Sequence, residues 1–225
     1  MIKRIFDISL SFFGFIFSLP IWLFIGLLIC IEDGLPIFYL QERVGQDGKV
    51  FRALKFRSME KDAEKEIGPV QAKENDYRVT KVGRILRATA MDELPQLWNI
   101  LKGDMSFVGP RAMRPAEIEA SNWQKIDEKQ KTGDCDAENG LMNQDYNCEA
   151  VPLEEIPGYF ERQRVRPGLT GIAQLIAPRN MPRRQKFRYD LFYLKKQSFW
   201  FDLKLIMLSF WVTFRGKWES RERKI

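Results

Sequence analysis

No histidine occurs among the 225 residues, which excludes a Ser-His-Asp triad, a histidine general base and any zinc site ligated through imidazole. Cysteine is nearly as scarce. Cys30, Cys135 and Cys148 are odd in number and show no Cys-x-x-Cys spacing, so neither a disulfide framework nor a thiolate metal centre is expected, and a reducing compartment fits. Internal repeats are missing as well. Any catalysis must therefore run on carboxylates, hydroxyls, lysines, a free thiol or a bound metal. The length suits one domain of ordinary size with room for an attached membrane element.

Charge is missing over one long stretch. Ile8 to Ile31 is an uncharged run of 24 residues, roughly 36 Å of helix and enough to cross a bilayer. Its length, and the lack of an Ala-x-Ala-like site after it, argue against a cleaved signal peptide. Within the run, Ser18-Leu19-Pro20 predicts a kink: Pro20 removes a helical hydrogen bond, and the Ser18 hydroxyl can take up a freed carbonyl. Lys3 and Arg4 favour a cytoplasmic start, whereas Glu32 and Asp33 close the far end. For a straight span this bias would put the rest of the chain outside the cytosol. A chain bent at Pro20 would instead have two arms of about 12 residues, roughly 18 Å each, with both ends cytosolic. A re-entrant hairpin over residues 1–33 is the favoured reading, with a straight span and a tolerated proline as the alternative.

The charge that is present is uneven. Between Glu117 and Glu155 there are 11 acids and 3 bases, a local −8 against +6 for the whole chain, so the remainder carries +14. A basic body favours phosphorylated ligands, nucleic acid or an acidic lipid surface. The acidic segment, about 117–155, has Asp134, Asp136, Glu138 and Asp145 in faint imitation of a calcium loop, but Gly140 falls one place late for that pattern. It reads as a solvated insert.

The densest chemistry lies between Ala88 and Pro115. Asp92 and Glu93 are adjacent carboxylates at the expected start of a short helix: Pro95 suits the first turn, Leu94, Leu97, Trp98 and Leu101 form a stripe, and Gly103 is a natural stop. Acids at a positive helix end can be plain caps, yet the same end also attracts phosphate. Gly109-Pro110 then turns the chain to present Arg111 and Arg114, whose planar forks suit phosphate oxygens. Upstream, residues 35–45 and 50–59 alternate as the strands of a β-hairpin, with Lys55 and Arg57 on one face. Arg78, Lys81, Arg84 and Arg87, beside Val82, Ile85 and Leu86, read as a basic amphipathic helix for anionic headgroups. Downstream, the glycines of Arg166-Pro-Gly-Leu-Thr-Gly mark a turn or a close approach to a ligand. Seven bases between Arg179 and Lys196, interleaved with aromatics, could stack nucleic acid. However, residues 198–214 read as an apolar, aromatic interfacial helix, and a membrane surface accounts for both features without nucleic acid.

Taken in order, these pieces resemble the monotopic phosphoglycosyl transferases of bacteria. The shared residues are Ser18-Leu19-Pro20, Glu42-Arg43-Val44-Gly45, Lys55-Phe56-Arg57-Ser58-Met59, Asp92-Glu93-Leu94-Pro95-Gln96-Leu97-Trp98-Asn99, Gly103-Asp104-Met105-Ser106, Val108-Gly109-Pro110-Arg111, the glycine segment from Arg166, Ala173-Gln174 and the stretch Asp190 to Tyr193. Nearly the whole chain is covered, apart from the insert. The resemblance implies an anchor that breaks at Ser18 and Pro20, followed by a small cytosolic catalytic domain of α/β (α+β) type over residues 34–225, at the bacterial inner membrane. It further implies transfer of a sugar 1-phosphate from a UDP-sugar to a polyprenol phosphate such as undecaprenyl phosphate, and nucleotide or sugar contacts at Thr170, Gln174 and Arg179. Three departures stand out: the longer segment between Arg114 and Arg166, Ile172 where an aromatic is frequent, and Ala177-Pro178 where Asn-Gly is frequent. Sugar identity is therefore not carried over.

The residues support a scheme of their own. A diphosphate carries about two negative charges, and two carboxylates would repel it unless cations intervene. Mg2+ held by Asp92 and Glu93 is the expected mediator. Asp92 is the expected nucleophile toward phosphorus, and Arg111, with Lys55 and Arg57 as weaker candidates, the expected neutraliser of the phosphoryl oxygens. A non-catalytic scaffold for anionic lipid and a conventional UDP-releasing glycosyltransferase are the alternatives.

Overall fold

The computed structural model describes residues 2–61, 63, 76–115, 156–178 and 181–215, so the acidic segment 117–155 and Arg179 lie outside the described residues. The chain mixes helix and strand. It opens with α1, Ile2–Asp33, one continuous helical run with Pro20 inside it. The expected break at Pro20 is thus not an interruption of the helix. Pro20 cannot bond the carbonyl of Ile16, and the Ser18 hydroxyl, expected to take up that freed carbonyl, donates to the Phe15 carbonyl at 3.1 Å. The buried face of α1 reads Asp7, Ser11, Ser18, Ile25 and Ile29, a helical spacing with polar atoms at one end and apolar ones at the other.

Two strands follow, β1 (Phe38–Val44) and β2 (Val50–Phe56), antiparallel around the turn Gln46–Gly48. Their register pairs Tyr39 with Lys55, Gln41 with Ala53 and Arg43 with Phe51. Because side chains alternate, Arg43, Ala53 and Lys55 share one face. Next come α2 (Lys81–Ala88), α3 (Gln96–Lys102) and β3 (Ser106–Val108). Thr80 caps α2 by accepting from the Gly83 amide, and the Glu32 carboxylate accepts from Lys81 N and Val82 N at 2.7 and 2.9 Å. Gly103, with φ 107°, ends α3 in the left-handed region where glycine carries no penalty. After the insert, β4 (Gly168–Thr170) runs parallel to β3, and α4 (Ile172–Ile176), α5 (Arg183–Lys196) and α6 (Phe199–Phe214) complete the described chain.

The basic helix expected from Arg78 is shorter than its charge pattern. Arg78 precedes α2, is buried and pairs with Asp76 at 2.7 Å, leaving Lys81 and Arg84 as its exposed cations.

The main core gathers Val108, Ile172, Leu175, Tyr193, Leu205 and Val212 between β3, α4, α5 and α6. Each fully buried aliphatic there contributes about 1.5–3 kcal/mol. A second cluster packs Ile25 and Ile29 of α1 on Phe56 and Leu86. Polar contacts fasten the first turn of α1 to the same body. Lys3 Nζ donates to Val108 O at 3.0 Å and pairs with buried Asp202, Arg4 donates to the Ile100 and Leu101 carbonyls at 2.7 and 2.9 Å, and Asp7 accepts from Phe107 N. Burial and the nearby Asp202 charge push the Tyr193 phenol above its ordinary range, so it keeps its proton beside this cluster.

The outer surfaces of α1 and α6 are apolar. Phe12, Phe13, Phe17, Leu23, Phe24, Leu27 and Ile31 are exposed on α1, and Trp200, Met207, Phe210, Trp211 and Phe214 on α6. Phe6 meets Phe199 edge to face at 5.2 Å, joining the two helices. Of the described helices, α1 alone is long and apolar enough to cross a bilayer by length and composition.

Lys3→Met would leave the Asp202 carboxylate buried without its cation, at a cost of about 3 kcal/mol. A lowered melting midpoint in detergent or nanodiscs is the expected outcome, and an unchanged midpoint would contradict the seating of α1 described above.

Candidate active site

Ala90 carries the left-handed conformation φ 55°, ψ 18° immediately before the acid pair. A non-glycine residue pays for that geometry, which reverses the chain out of α2 and into the one-turn 3-10 helix Met91–Glu93. The acids therefore lie in a turn of their own, ahead of α3 and not in its first turn as expected. Glu93 points inward and is 7% exposed, while Asp92 is half-buried beside it.

Glu93 is the centre of a charge cluster. Lys55 Nζ lies 2.6 Å from Glu93 Oε1, and Arg111 Nη2 lies 3.5 Å from the same oxygen. Burial alone would push this carboxyl up; the charges of Lys55, Arg111 and Arg43 and the Lys55 hydrogen bond outweigh it and hold the pKa at about 2. Arg43 itself donates from Nε to Gln41 Oε1 at 3.0 Å and from Nη1 to Ala112 O at 2.8 Å. Arg43, Lys55, Glu93 and Arg111 line a small cleft together with Gln96, Met105, Gly168 and Leu169. Three cations face one carboxylate there, so the cleft favours a further anion.

The backbone around Arg111 leaves no slack. A Cβ on Gly109 would sit 2.4 Å from Arg166 O, and one on Gly168 would sit 2.0 Å from Gly109 N. Only glycine lets β3 and β4 approach this closely. Gly109 N also donates to Thr170 O and Gly168 N to Pro110 O, at 3.0 and 2.9 Å.

Of the sequence candidates, the fold brings Lys55, Glu93 and Arg111 into the cleft; Asp92, half-buried in the same 3-10 turn, immediately precedes Glu93 and is not among the residues that line it. Arg57 follows the end of β2 and is turned away. Its guanidinium pairs with Asp33 at 3.1 Å and donates to the Asp33 and Gly34 carbonyls, tying the end of α1 to the hairpin. Thr170, the last residue of β4, is buried in register with Val108, and buried Gln174 donates to Gly168 O at 3.4 Å; neither is among the residues that line the cleft. Arg43 is the cation that reading along the chain overlooks. Pairing it across the hairpin with Phe51 puts it on the Lys55 face, and that register was the available signal.

The site thus gathers three cations around an ionised buried carboxylate, in a domain that also exposes two apolar helices. Residues 1–140 and 145–216 match the family described as bacterial sugar transferase, and the chain belongs to that family. It is 34% identical over 219 residues to the exopolysaccharide production protein PSS of Rhizobium leguminosarum bv. phaseoli, covering 92% of each. Over 220 residues it is 35% identical to the UDP-glucose:undecaprenyl-phosphate glucose-1-phosphate transferase of Klebsiella pneumoniae, covering 96% of this chain and 40% of that one. Over 208 residues it is 33% identical to the UDP-N-acetylgalactosamine-undecaprenyl-phosphate N-acetylgalactosaminephosphotransferase of Aeromonas hydrophila, covering 91% and 42%. The chain thus spans about two fifths of the length of the latter two relatives.

The depressed Glu93 pKa carries a signed consequence. Against an ordinary value of 4.5 and a folded value of about 2, its ionisation contributes stability that is complete above pH 4.5 and disappears as pH falls through about 2. Denaturation of wild type and Glu93→Gln should therefore give a stability gap that is constant near neutrality and narrows below pH 4.5. A gap that stays constant to pH 2.5 would contradict the ion cluster.

Proposed function

We propose that the chain transfers a sugar 1-phosphate from a UDP-sugar to a polyprenol phosphate, releasing UMP. The observation that carries this reading is the three-cation cleft next to half-buried Asp92, on a domain whose apolar helices suit a lipid acceptor. The relatives named above support the donor and acceptor classes, and their differing sugars leave the sugar open.

In the scheme, the cations Arg43, Lys55 and Arg111 receive the diphosphate of the donor. A carboxylate oxygen of Asp92 attacks the β-phosphorus, forming an O–P bond as the bond from that phosphorus to the bridging oxygen breaks, and UMP leaves with that oxygen. An oxygen of the acceptor phosphate then attacks the same phosphorus and releases the Asp92 carboxylate, giving polyprenyl diphosphate sugar. Arg111, exposed over nearly half its side chain, neutralises the equatorial oxygens as their charge develops. Asp92 and Glu93 are the proposed holders of Mg2+. Among the described residues no three acids or cysteines converge, and Lys55 and Arg111 already share one Glu93 oxygen. Such a sparse set fits an ion that keeps several waters and completes its shell with substrate phosphate. When bound, it would supply charge neutralisation between carboxylate and diphosphate.

The anchor belongs to the same reading. Lys3 at one end of α1 and Glu32 and Asp33 at the other contact a single body, which favours an anchor entering and leaving by one bilayer face over one that crosses. To this reading belongs a cytosolic catalytic face at the bacterial inner membrane, with Lys81 and Arg84 of α2 toward anionic headgroups.

Incubation of membrane-embedded protein with UDP-sugars and undecaprenyl phosphate should release UMP and not UDP. Asp92→Asn should lower that release by about 10³-fold or more while membrane association and melting stay unchanged. UDP as product, or full turnover by the variant, would overturn the reading.

A further inference from the structure

The stretch Asp190 to Tyr193 carries part of the family resemblance, yet Asp190 does not line the cleft. It is 3% exposed and accepts from Arg162 Nε at 2.9 Å; Arg162 is 4% exposed and lies over the Phe187 ring, 4.5 Å from its centroid. A buried ion pair gains little for stability after its desolvation cost, which leaves room for another role. The remaining arm of the fork shows one: Arg162 Nη2 donates to the Arg111 carbonyl at 2.6 Å.

Arg111 depends on such support. Its contact with Glu93 is long, 3.5 Å, and its side chain is 46% exposed, so its direction is set chiefly by its backbone. That backbone is held at three successive carbonyls by separate donors: Arg162 on Arg111, Arg43 on Ala112 and the Val44 amide on Met113. Two of these come from the hairpin that also carries Lys55. The third comes from the far side through Asp190 and Phe187.

We propose that Arg162, locked in place by Asp190 and Phe187, is a positioning residue that fixes where the Arg111 side chain enters the cleft. The inference rests on the reading of this cleft as a diphosphate site. A lysine at 162 keeps the charge beside Asp190 but lacks the planar fork that serves both acceptors.

Inorganic pyrophosphate binding to the full chain in detergent, measured calorimetrically, tests this with four forms: wild type, Arg111→Gln, Arg162→Lys and the double variant. Arg111→Gln should weaken binding about tenfold, and Arg162→Lys about threefold to tenfold through displacement of Arg111. In the Arg111→Gln background, Arg162→Lys should change affinity by less than about twofold, because its effect travels through a side chain already removed. Asp190→Asn should follow the same pattern and serves in place of Arg162→Lys where the lysine variant does not fold. Equal weakening with and without the Arg111 side chain, no weakening at all, or no binding by wild type would each overturn the inference. UMP release is read in parallel: coupling without UMP release keeps the positioning role and removes the transferase reading, and UMP release without coupling does the reverse.

Discussion

A carboxylate withdrawn from water beside three cations is the constraint around which this domain is arranged. Burying Glu93 alone would be prohibitive, and burying it against Lys55 with Arg111 and Arg43 nearby keeps it ionised. The partners come from two strands of a hairpin and from the turn after β3, so one acid draws together segments that are distant along the chain. Each partner is also fastened by its own backbone or by a neighbour, as Arg43 is by Gln41 and Ala112. In the proposed reaction a diphosphate would meet cations already in place, and the reorganisation that free side chains would require is largely avoided.

The same elements carry the link to the apolar surface. Lys3 binds the carbonyl of Val108, three residues before Arg111, and Arg4 binds the last carbonyls of α3, the helix that follows Glu93. The first turn of α1 is therefore fastened to β3 and α3, the elements that flank the site, and is more than a tether. Whatever fixes the depth of α1 and α6 at a lipid surface also fixes the depth of the cleft, which is the geometric requirement for an acceptor whose phosphate stays at headgroup level.

Much of this was legible along the chain. The acid pair, the Gly-Pro turn before Arg111 and the alternating hairpin around Lys55 are local signals, and the fold brings those three cleft residues together. What failed were readings that needed tertiary knowledge. Alternation alone gives Arg57 the same face as Lys55, but the strand ends at Phe56 and Arg57 goes to Asp33. The three-residue repeat of bases begins at Arg78, yet Asp76 claims that residue for the interior. Pro20 lies inside α1, whose helical run continues on both sides of it. The parallel pairing of β3 with β4 joins segments about sixty residues apart, and no local periodicity reveals such a contact.

The central claim is that Asp92, beside this preformed cation cluster, becomes bonded to phosphorus during turnover. Intact protein weighed after incubation with donor alone, under a quench that preserves acyl phosphates, should show the added mass of a phosphosugar that maps to Asp92 and disappears when acceptor is supplied. Transfer to acceptor at full rate, with no such adduct at any time in the course of the reaction, would contradict it.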